Sequence, residues 1–431
     1  MTRVLSLDLA HGDTASPRPD AGPVRLIFRW RGLPLGARTF AAAELPLSPA
    51  TVAALGADLG AAQLAARDPV FGVLPFAGHD GRTQRHARLV GDAPDDVAGR
   101  LDRIADAAAS PLRRRCSVIV CTRDRPTGLA SCLDSLARLD PMADEIIVVD
   151  NDAAGSARAV VSAHPHCRYV HEPRPGLSVA RNAGIRAATG NLIAFTDDDA
   201  RPDPGWMGEM ERALTVDRVD AVTGLVLPAE LDSEAQRMFE FGFGGLAAGF
   251  LPLMFDERFL AASRPHAPAV WRIGAGANMA FRREALARVG LFDERLGAGA
   301  AGCSEDSELW YRILAAGGRC LYEPRCVVHH RHRADMAGLR RQIRAYMRGH
   351  VAALIVQHDR YGSPGDRARI FRALPRYLVG TVIGSLIEWH PRRLRLALDE
   401  TAGWLAGTTY WFRRGWRRRA TLARMVEVRD D

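Results

Sequence analysis

Lysine is absent from this chain of 431 residues, and all 58 basic residues are Arg. Any mechanism that needs a lysine amine is thereby excluded. Long uncharged apolar runs are missing too. The longest, Phe241 to Phe255, Tyr377 to Ile387 and Thr401 to Phe412, fall short of the roughly 20 residues of a membrane-spanning helix, so no transmembrane helix is expected. Met1 to Ala10 lacks a basic segment followed by an apolar stretch, so no secretory leader is expected. The Cys residues (Cys116, Cys121, Cys132, Cys167, Cys303, Cys320 and Cys326) show no paired zinc-type spacing. Reduced thiols in a cytoplasmic protein follow from that pattern. What is present is an apolar content of 47% with 25% charge, the balance of a folded protein, at a length that suggests two or three domains. The formal charge of +8 is concentrated at one end: from Met336 onward 19 Arg face 8 carboxylates, so the preceding residues are slightly acidic.

The most informative stretch is Asn191 to Arg201, NLIAFTDDDAR, an apolar run that ends in Asp197, Asp198 and Asp199. Three carboxylates at the end of a buried strand call for a hard divalent cation such as Mg²⁺ or Mn²⁺. The competing reading is a solvated acidic turn capping a helix from Pro202 to Leu214. A second acidic cluster, Ser304 to Glu308, lies about a hundred residues on, and His329, His330 and His332 follow it. Together these favour a joint site.

Residues 1–110 read as a small β-rich module: strands at Val4 to Leu9 and Pro23 to Arg31, the second alternating Val24, Leu26, Phe28, Trp30, then helices at Ser48 to Ala66 and Asp95 to Ala109. The module carries no recognisable chemistry, although a docking or carbohydrate-contact role stays open. After Arg115 the pattern changes. Cys116 to Cys121 is a β-branched apolar run of the kind buried on both faces of a parallel sheet. A helix over Thr127 to Arg138 and a strand over Glu145 to Asp150 complete a βαβ unit. Further helices are expected at Ala154 to Ala163, Val179 to Ala188, Trp206 to Val216 and Arg283 to Val289, with strands at Cys167 to His171, Asn191 to Thr196 and Ala221 to Pro228. Ligands bind open α/β sheets at the carboxyl ends of the strands. Asp150, Arg181 with Asn182, and Asp197 to Asp199 are thus expected at one sheet edge. The apolar span Phe239 to Arg264 reads as a lid or a packed loop. The small residues from Gly274 to Ala277 allow close backbone approach to a ligand.

The ordered set CSVIVCTRDRP, IIVVDN, GLSVARNAGIRAATGNLIAFTDDDA, GAGANMAFRREALARVGLFDE, SEDSELWYR and VVHHRHR resembles the family 2 glycosyltransferases of inverting type over roughly Cys116 to Asp335. The resemblance implies the GT-A fold, a Rossmann-like, mostly parallel α/β sheet with flanking helices. Here it would occupy residues 111–335, after the β-rich module and before a helical tail over 336–431. It also implies a nucleotide-sugar donor, UDP-linked before dTDP- or GDP-linked, and a divalent cation, Mn²⁺ or Mg²⁺. By the same resemblance Thr122, Arg123, Asp150, Arg181, Asn182, Asp197 and Asp198 contact the nucleotide sugar. Asp199 and Asp197 ligate the metal with His330, a neighbouring His329 or His332 staying open. Asp306 matches the general base of the inverting members, and Glu305 orients the acceptor. Two departures stand out: the first strand ends Thr122-Arg123-Asp124-Arg125 where many members have a Tyr-Asn or Arg-Asn pair, and Ser304 stands where Gly is common. For the Glu305–Asp306 pair the alternative is an N-terminal cap of a helix over Ser307 to Ala316.

The tail is amphipathic. Ile370, Leu374, Leu378, Val382 and Leu386 recur every four residues, Phe371, Val379, Ile383 and Ile387 fill the same side, and Arg367, Arg369, Arg372 and Arg376 bracket its start. Leu394 to Trp416 adds three Trp before Arg417-Arg418-Arg419. Contact with an anionic membrane surface is expected, suiting a glycan or lipid-linked acceptor; packing on the catalytic part is the alternative. No nucleic-acid-binding motif accompanies the charge. A sugar nucleotidylyltransferase would want a Gly-rich N-terminal loop with Lys, an inverting glycosidase would have no use for a nucleotide pocket, and a catalytically inactive carbohydrate-binding relative would not need Asp197, Asp199 and Asp306 together.

Overall fold

The computed structural model describes residues 2–11, 22–67, 97–106, 114–216, 218–263 and 266–413. Its centre is a nine-stranded mixed sheet built of β4 (Cys116–Thr122), β5 (Glu145–Asp150), β6 (Cys167–His171), β7 (Leu192–Asp197), β8 (Ala200–Pro202), β9 (Val219–Pro228), β10 (Leu253–Phe255), β11 (Asn278–Arg282) and β12 (Arg319–His330), ordered β10-β12-β9-β11-β7-β4-β5-β6 with β8 on β12. Alternate side chains of the apolar strands enter separate cores, as the two-residue period requires. Val118, Val120, Ile146 and Val148 meet Leu129, Leu133 and Trp206 on one face, and Ile119, Ile147, Val149 and Phe195 meet Ala180, Ile185 and Phe292 on the other. Strands β4 to β7 are parallel, as the crossover helices demand. The second half departs from that pattern: β11 runs antiparallel to β7 and β9, and β10 and β8 run antiparallel to β12, because these strands enter from loops rather than crossover helices. The α/β class holds, with a sheet less parallel than expected.

Register levels the strand ends. Thr122 lies opposite Asp150, and Cys121 opposite Asp197. Pairing of β8 with β12 sets His330 against Ala200, and the Arg331 amide donates to the Asp199 carbonyl at 2.9 Å. Residues far apart in sequence therefore reach one edge.

The N-terminal sheet has three strands, β1 (Arg3–Asp8), β2 (Val24–Trp30) and β3 (Leu33–Phe40), the last unforeseen. β2 and β3 form a tight hairpin through Arg31 and Gly32, both at positive φ. The outer face of β2 sets Ile27 against Leu225, Leu227 and Val327 of the large sheet, and Arg29 pairs with Asp203 at 2.5 Å. At the other end, the helix Met336–Tyr361 packs Ala352, Ala353 and Val356 on Leu296 and Ala301. The helix Pro391–Arg413 lies against it through Gly403 and Gly407, where an added Cβ would come within 2.5 Å of the Arg344 carbonyl and 2.7 Å of the Val351 Cβ. Residues 414–431, with the expected Arg417-Arg418-Arg419 cluster, lie outside the described residues, as do residues 68–96 and 107–113, on which parts of the helix expected over Asp95 to Ala109 fall.

One apolar helix is longer than its uncharged run. The helix carrying Tyr377 to Ile387 extends back through a π-turn at Arg369–Ala373 to Pro364, 24 residues in all, long and apolar enough by length and composition alone to cross a membrane, with a mean hydropathy of 1.3 over an 18-residue window. Runs of uncharged residues missed it because Arg372 and Arg376 interrupt the sequence without interrupting the helix. Its stripe is divided. Ile370, Leu374 and Leu378 are buried on Met347, Val351 and Leu354, whereas Phe371, Val379, Ile383, Leu386 and Ile387 face outward.

Candidate active site

Beyond the strand ends opens a cleft of about 1700 Å³, floored by β4 and β7 and roofed by the helix Met336–Tyr361 and by Phe243 to Ala248. The carboxylates of Asp197 and Asp199 and the ring of His330 offer ligand atoms within 4.8 Å of one another. His330 Nε2 lies 3.2 Å from Asp199, whereas His329 turns away to Asp203 at 3.0 Å. Strand alternation explains that choice, since adjacent residues point to opposite faces. His332 stands behind, its Nδ1 3.1 Å from His330 Nδ1 and its Nε2 3.3 Å from Glu240, which pairs with Arg25 of the N-terminal sheet.

Charge in the site is unevenly compensated. Burial opposes ionisation of Asp199, yet His330 and Arg125 hold it well below the usual carboxylate range. Burial also disfavours the charged His330 ring, but Asp199 raises its pKa above the ordinary value. The Asp197 carboxyl is raised by burial against the pull of Arg181. The middle aspartate differs: Asp198 accepts from Thr122 Oγ1 at 2.7 Å and from Arg125 at 3.1 Å, and burial pushes it up to about 6. Two carboxylates and an imidazole, with hard oxygen donors prevailing and room left in the cleft, fit a cation such as Mn²⁺ or Mg²⁺.

The helix Leu177–Ala187 supplies Arg181, buried between Phe195 and Phe292. Its guanidinium reaches Glu305 at 2.6 Å and Asp197 at 3.5 Å, joining the two acidic clusters. Burial pushes the Glu305 carboxyl up to about 7 in spite of Arg181, and its Oε2 has no hydrogen-bond partner among the described residues. Asp306 stands one residue on, in the first turn of the helix Glu305–Ala315. Its Oδ1 accepts from the Ser307 amide, whereas its Oδ2 points at Gly276, where an added Cβ would lie 3.0 Å away. Neither Ser304 nor Asp306 caps the helix in the usual way, for Ser304 sits in the left-handed region and accepts no amide.

Two residues expected at the nucleotide, Asp150 and Asn182, are not among those lining the cleft. Asp150 is fully buried, accepting from the Ala157 amide at 2.8 Å and from Tyr169 Oη at 3.0 Å, and Asn151 lines the cleft beside it. Asn182 ties its helix to the backbone of Phe292 in both directions. Thr122, Arg123, Arg181, Asp197, Asp198, Asp199, Glu305, Asp306 and His330 all line the cleft. Sequence reasoning passed over Arg125, 2.7 Å from Asp199, and Arg333, 3.5 Å from it. Arg125 was visible in the strand-end segment Thr122-Arg123-Asp124-Arg125; Arg333 follows the histidines directly.

Residues 117–290 match the model of the glycosyl transferase family 2. The succinoglycan biosynthesis protein ExoM of Rhizobium meliloti (strain 1021) is 31% identical over 231 residues, covering 51% of this chain and 69% of ExoM. The chain belongs to the glycosyl transferase family 2. A pre-mycofactocin glycosyltransferase of Mycobacterium tuberculosis is 29% identical over 286 residues, 63% of this transferase and 55% of the relative, so the transferase spans about half of that protein's length. Among solved structures, the mannosyltransferase PcManGT from Pyrobaculum calidifontis, in complex with GDP-Man and Mn²⁺, aligns with a TM-score of 0.47 at 20% identity, over 71% of the transferase and 92% of PcManGT.

Proposed function

We propose that this glycosyltransferase moves a sugar from a nucleotide sugar, UDP-linked, to a hydroxyl of a glycan or lipid-linked acceptor, with inversion at the anomeric carbon. The observation that carries the reading is that Arg181 holds the Asp197 side of the cleft and the Glu305–Asp306 side together. Asp197, Asp199 and His330 would hold the divalent cation, which when bound offsets charge on the departing diphosphate. Thr122, Arg123 and Asn151 stand at the strand ends where the nucleotide would lie. Asp150 and Asn182 shape that region from beneath, and Asp198 orders Thr122 and Arg125.

Asp306 is the proton acceptor in this reading, because its Oδ2 is free to take a hydroxyl proton while Glu305 is committed to Arg181. With Asp306 as the base, attack by the deprotonated hydroxyl is a single direct displacement, which inverts the anomeric carbon. Residues 111–335 would form the catalytic domain, 1–110 a buttress behind His332, and 336–431 both roof and membrane contact. The outward apolar face from Phe371 to Ile387, continued by Trp389 at 89% exposure and flanked by Arg372, Arg376 and Arg392, suits a peripheral position on an anionic cytoplasmic membrane surface.

The test is a thermal-shift screen of nucleotide sugars with and without Mn²⁺ on wild type and Asp199→Asn. Stabilisation by a UDP-sugar that needs the ion and disappears in the folded mutant supports the reading. Ion-independent binding, unchanged by the mutation, would overturn it.

A further inference from the structure

The roof of the cleft holds a cationic cluster that the transfer chemistry described above does not use. Arg369 opens the π-turn Arg369–Ala373 and lays its guanidinium 4.3 Å from the centre of the Trp271 ring. Its Nε donates to His350 Nε2 at 3.0 Å, and the His350 and Trp271 rings meet edge to face at 4.8 Å. All three line the cleft, as does Arg272. Among the described residues no carboxylate pairs with Arg369. Glu400, which also faces the cleft, takes its hydrogen bond from Tyr377 instead. Burial and the like charge of Arg272 pull the Arg369 pKa down to about 10, and burial with Arg369 keeps His350 neutral. A half-buried guanidinium that lines a cavity, lies on an aromatic face and has a like charge beside it has the chemistry of a receptor for an oxyanion. π-turns of this kind occur often at functional sites.

The cluster belongs to the Asp306 side. His350 follows Gly349, where an added Cβ would lie 2.5 Å from the Cys303 amide, three residues before Asp306. Trp271 and Arg272 open the segment that leads to Gly276, against Asp306 Oδ2. The aspartates of the metal trio, by contrast, come from the end of β7.

We propose that Arg369, with Arg272, Trp271 and His350 around it, forms an acceptor-side subsite for a compact oxyanion, so that the acceptor carries a phosphate ester or a carboxylate near the hydroxyl it offers. The transferase reading is needed only to call the occupant an acceptor. The anion can belong to a membrane lipid or to a soluble molecule, and the chemistry is shared.

The experiment titrates the full chain, saturated with UDP and Mg²⁺ so that the nucleotide site is filled, with inorganic phosphate, n-decyl phosphate and glucuronate by calorimetry. At least one probe is expected to bind, and Arg369→Met to weaken it roughly tenfold to a hundredfold, the range for losing a charge-assisted contact. Arg369→Lys, which keeps the charge but loses the fork, should fall between. Tighter binding of decyl phosphate than of inorganic phosphate supports a lipid source, equal binding of the two a soluble phosphate, and preference for glucuronate a carboxylate. Should Arg369→Met fold poorly, Trp271→Leu takes its place, expected to weaken the same probe with UDP affinity unchanged. Failure of all three probes to bind wild type, or equal binding by folded Arg369→Met, overturns the subsite. Loss of Mg²⁺-dependent UDP binding by the wild type would instead count against the transferase reading, which the variant comparison does not touch.

Discussion

Replacing Asp306 by Asn changes one atom and separates two roles. A carboxylate positioned to take a hydroxyl proton contributes roughly 10² to 10⁴ in rate. At about 1.36 kcal/mol per decade this corresponds to about 2.7–5.4 kcal/mol of transition-state stabilisation. The structural contribution of the same side chain is much smaller. Asp306 Oδ1 accepts from the amide of its own neighbour Ser307 and from the Ser307 hydroxyl at 3.3 Å, and Oδ2 accepts from no described residue, so Asn can keep both contacts through its own oxygen. What is lost is a charge in the first turn of the helix Glu305–Ala315, worth about 0.3–1 kcal/mol, with Glu305 and Glu308 still in place. The melting temperature should therefore move by no more than about 4 °C. Turnover of the donor sugar by Asp306→Asn is expected to fall by roughly two to four decades, with UDP affinity unchanged. Turnover within a factor of about three of wild type, in a mutant of normal stability, would refute the assignment of the proton to Asp306.

The other perturbations test the framework around that residue. Arg181→Met strands the buried carboxylate of Glu305 and removes the partner of the half-buried Asp197, and a urea titration should show a loss of about 3–5 kcal/mol. Glu305, raised by burial from 4.5 to about 7, takes up a proton on folding between those values. Its contribution is full below about 4.5 and is lost as pH rises through about 7, so Glu305→Gln should flatten the pH dependence of the urea midpoint across that window. Asp199→Asn should abolish Mn²⁺-dependent stabilisation by UDP in a differential scanning experiment without lowering the melting temperature of the ion-free protein by more than a few degrees. Ile383→Ser with Ile387→Ser should reduce flotation with anionic vesicles, and salt should reduce it further in wild type. Unchanged flotation by the double variant would remove that face as the contact.

Much of the fold was readable because β4, β5 and β7 need both faces buried, and that demand writes itself as uninterrupted apolar runs. The order of motifs then located Asp197, Asp199 and His330. Legibility failed where a residue's partner is distant in sequence. Asp150 and Asn182 sit at the expected strand end and helix turn, but their hydrogen bonds go to Tyr169, Ala157 and Phe292. β3 was hidden by Pro34 and Gly36, two residues that disfavour strands but are tolerated in a hairpin. The tail's periodicity foretold an amphipathic helix without saying that Leu374 and Leu378 would turn inward onto Met347, Val351 and Leu354 while Ile383 and Ile387 face outward.

The link from Arg25 through Glu240, His332 and His330 to Asp199 fixes an order of proton positions as well as of side chains. Opposite Glu240, which pairs with Arg25, His332 Nε2 faces only a carboxylate oxygen, so that nitrogen is the donor. A neutral His332 that donates there must present a bare Nδ1, which only an N–H on His330 Nδ1 can satisfy. With Nε2 already set against the Asp199 carboxylate, a hydrogen on Nδ1 as well makes His330 the doubly protonated imidazolium, favoured by an arginine three side chains away, on a sheet that has no part in the cleft. Damage to that outlying sheet would thus surface at the far end as a change of protonation, visible in the ¹⁵N shifts of one imidazole while the strands around it stay where they are.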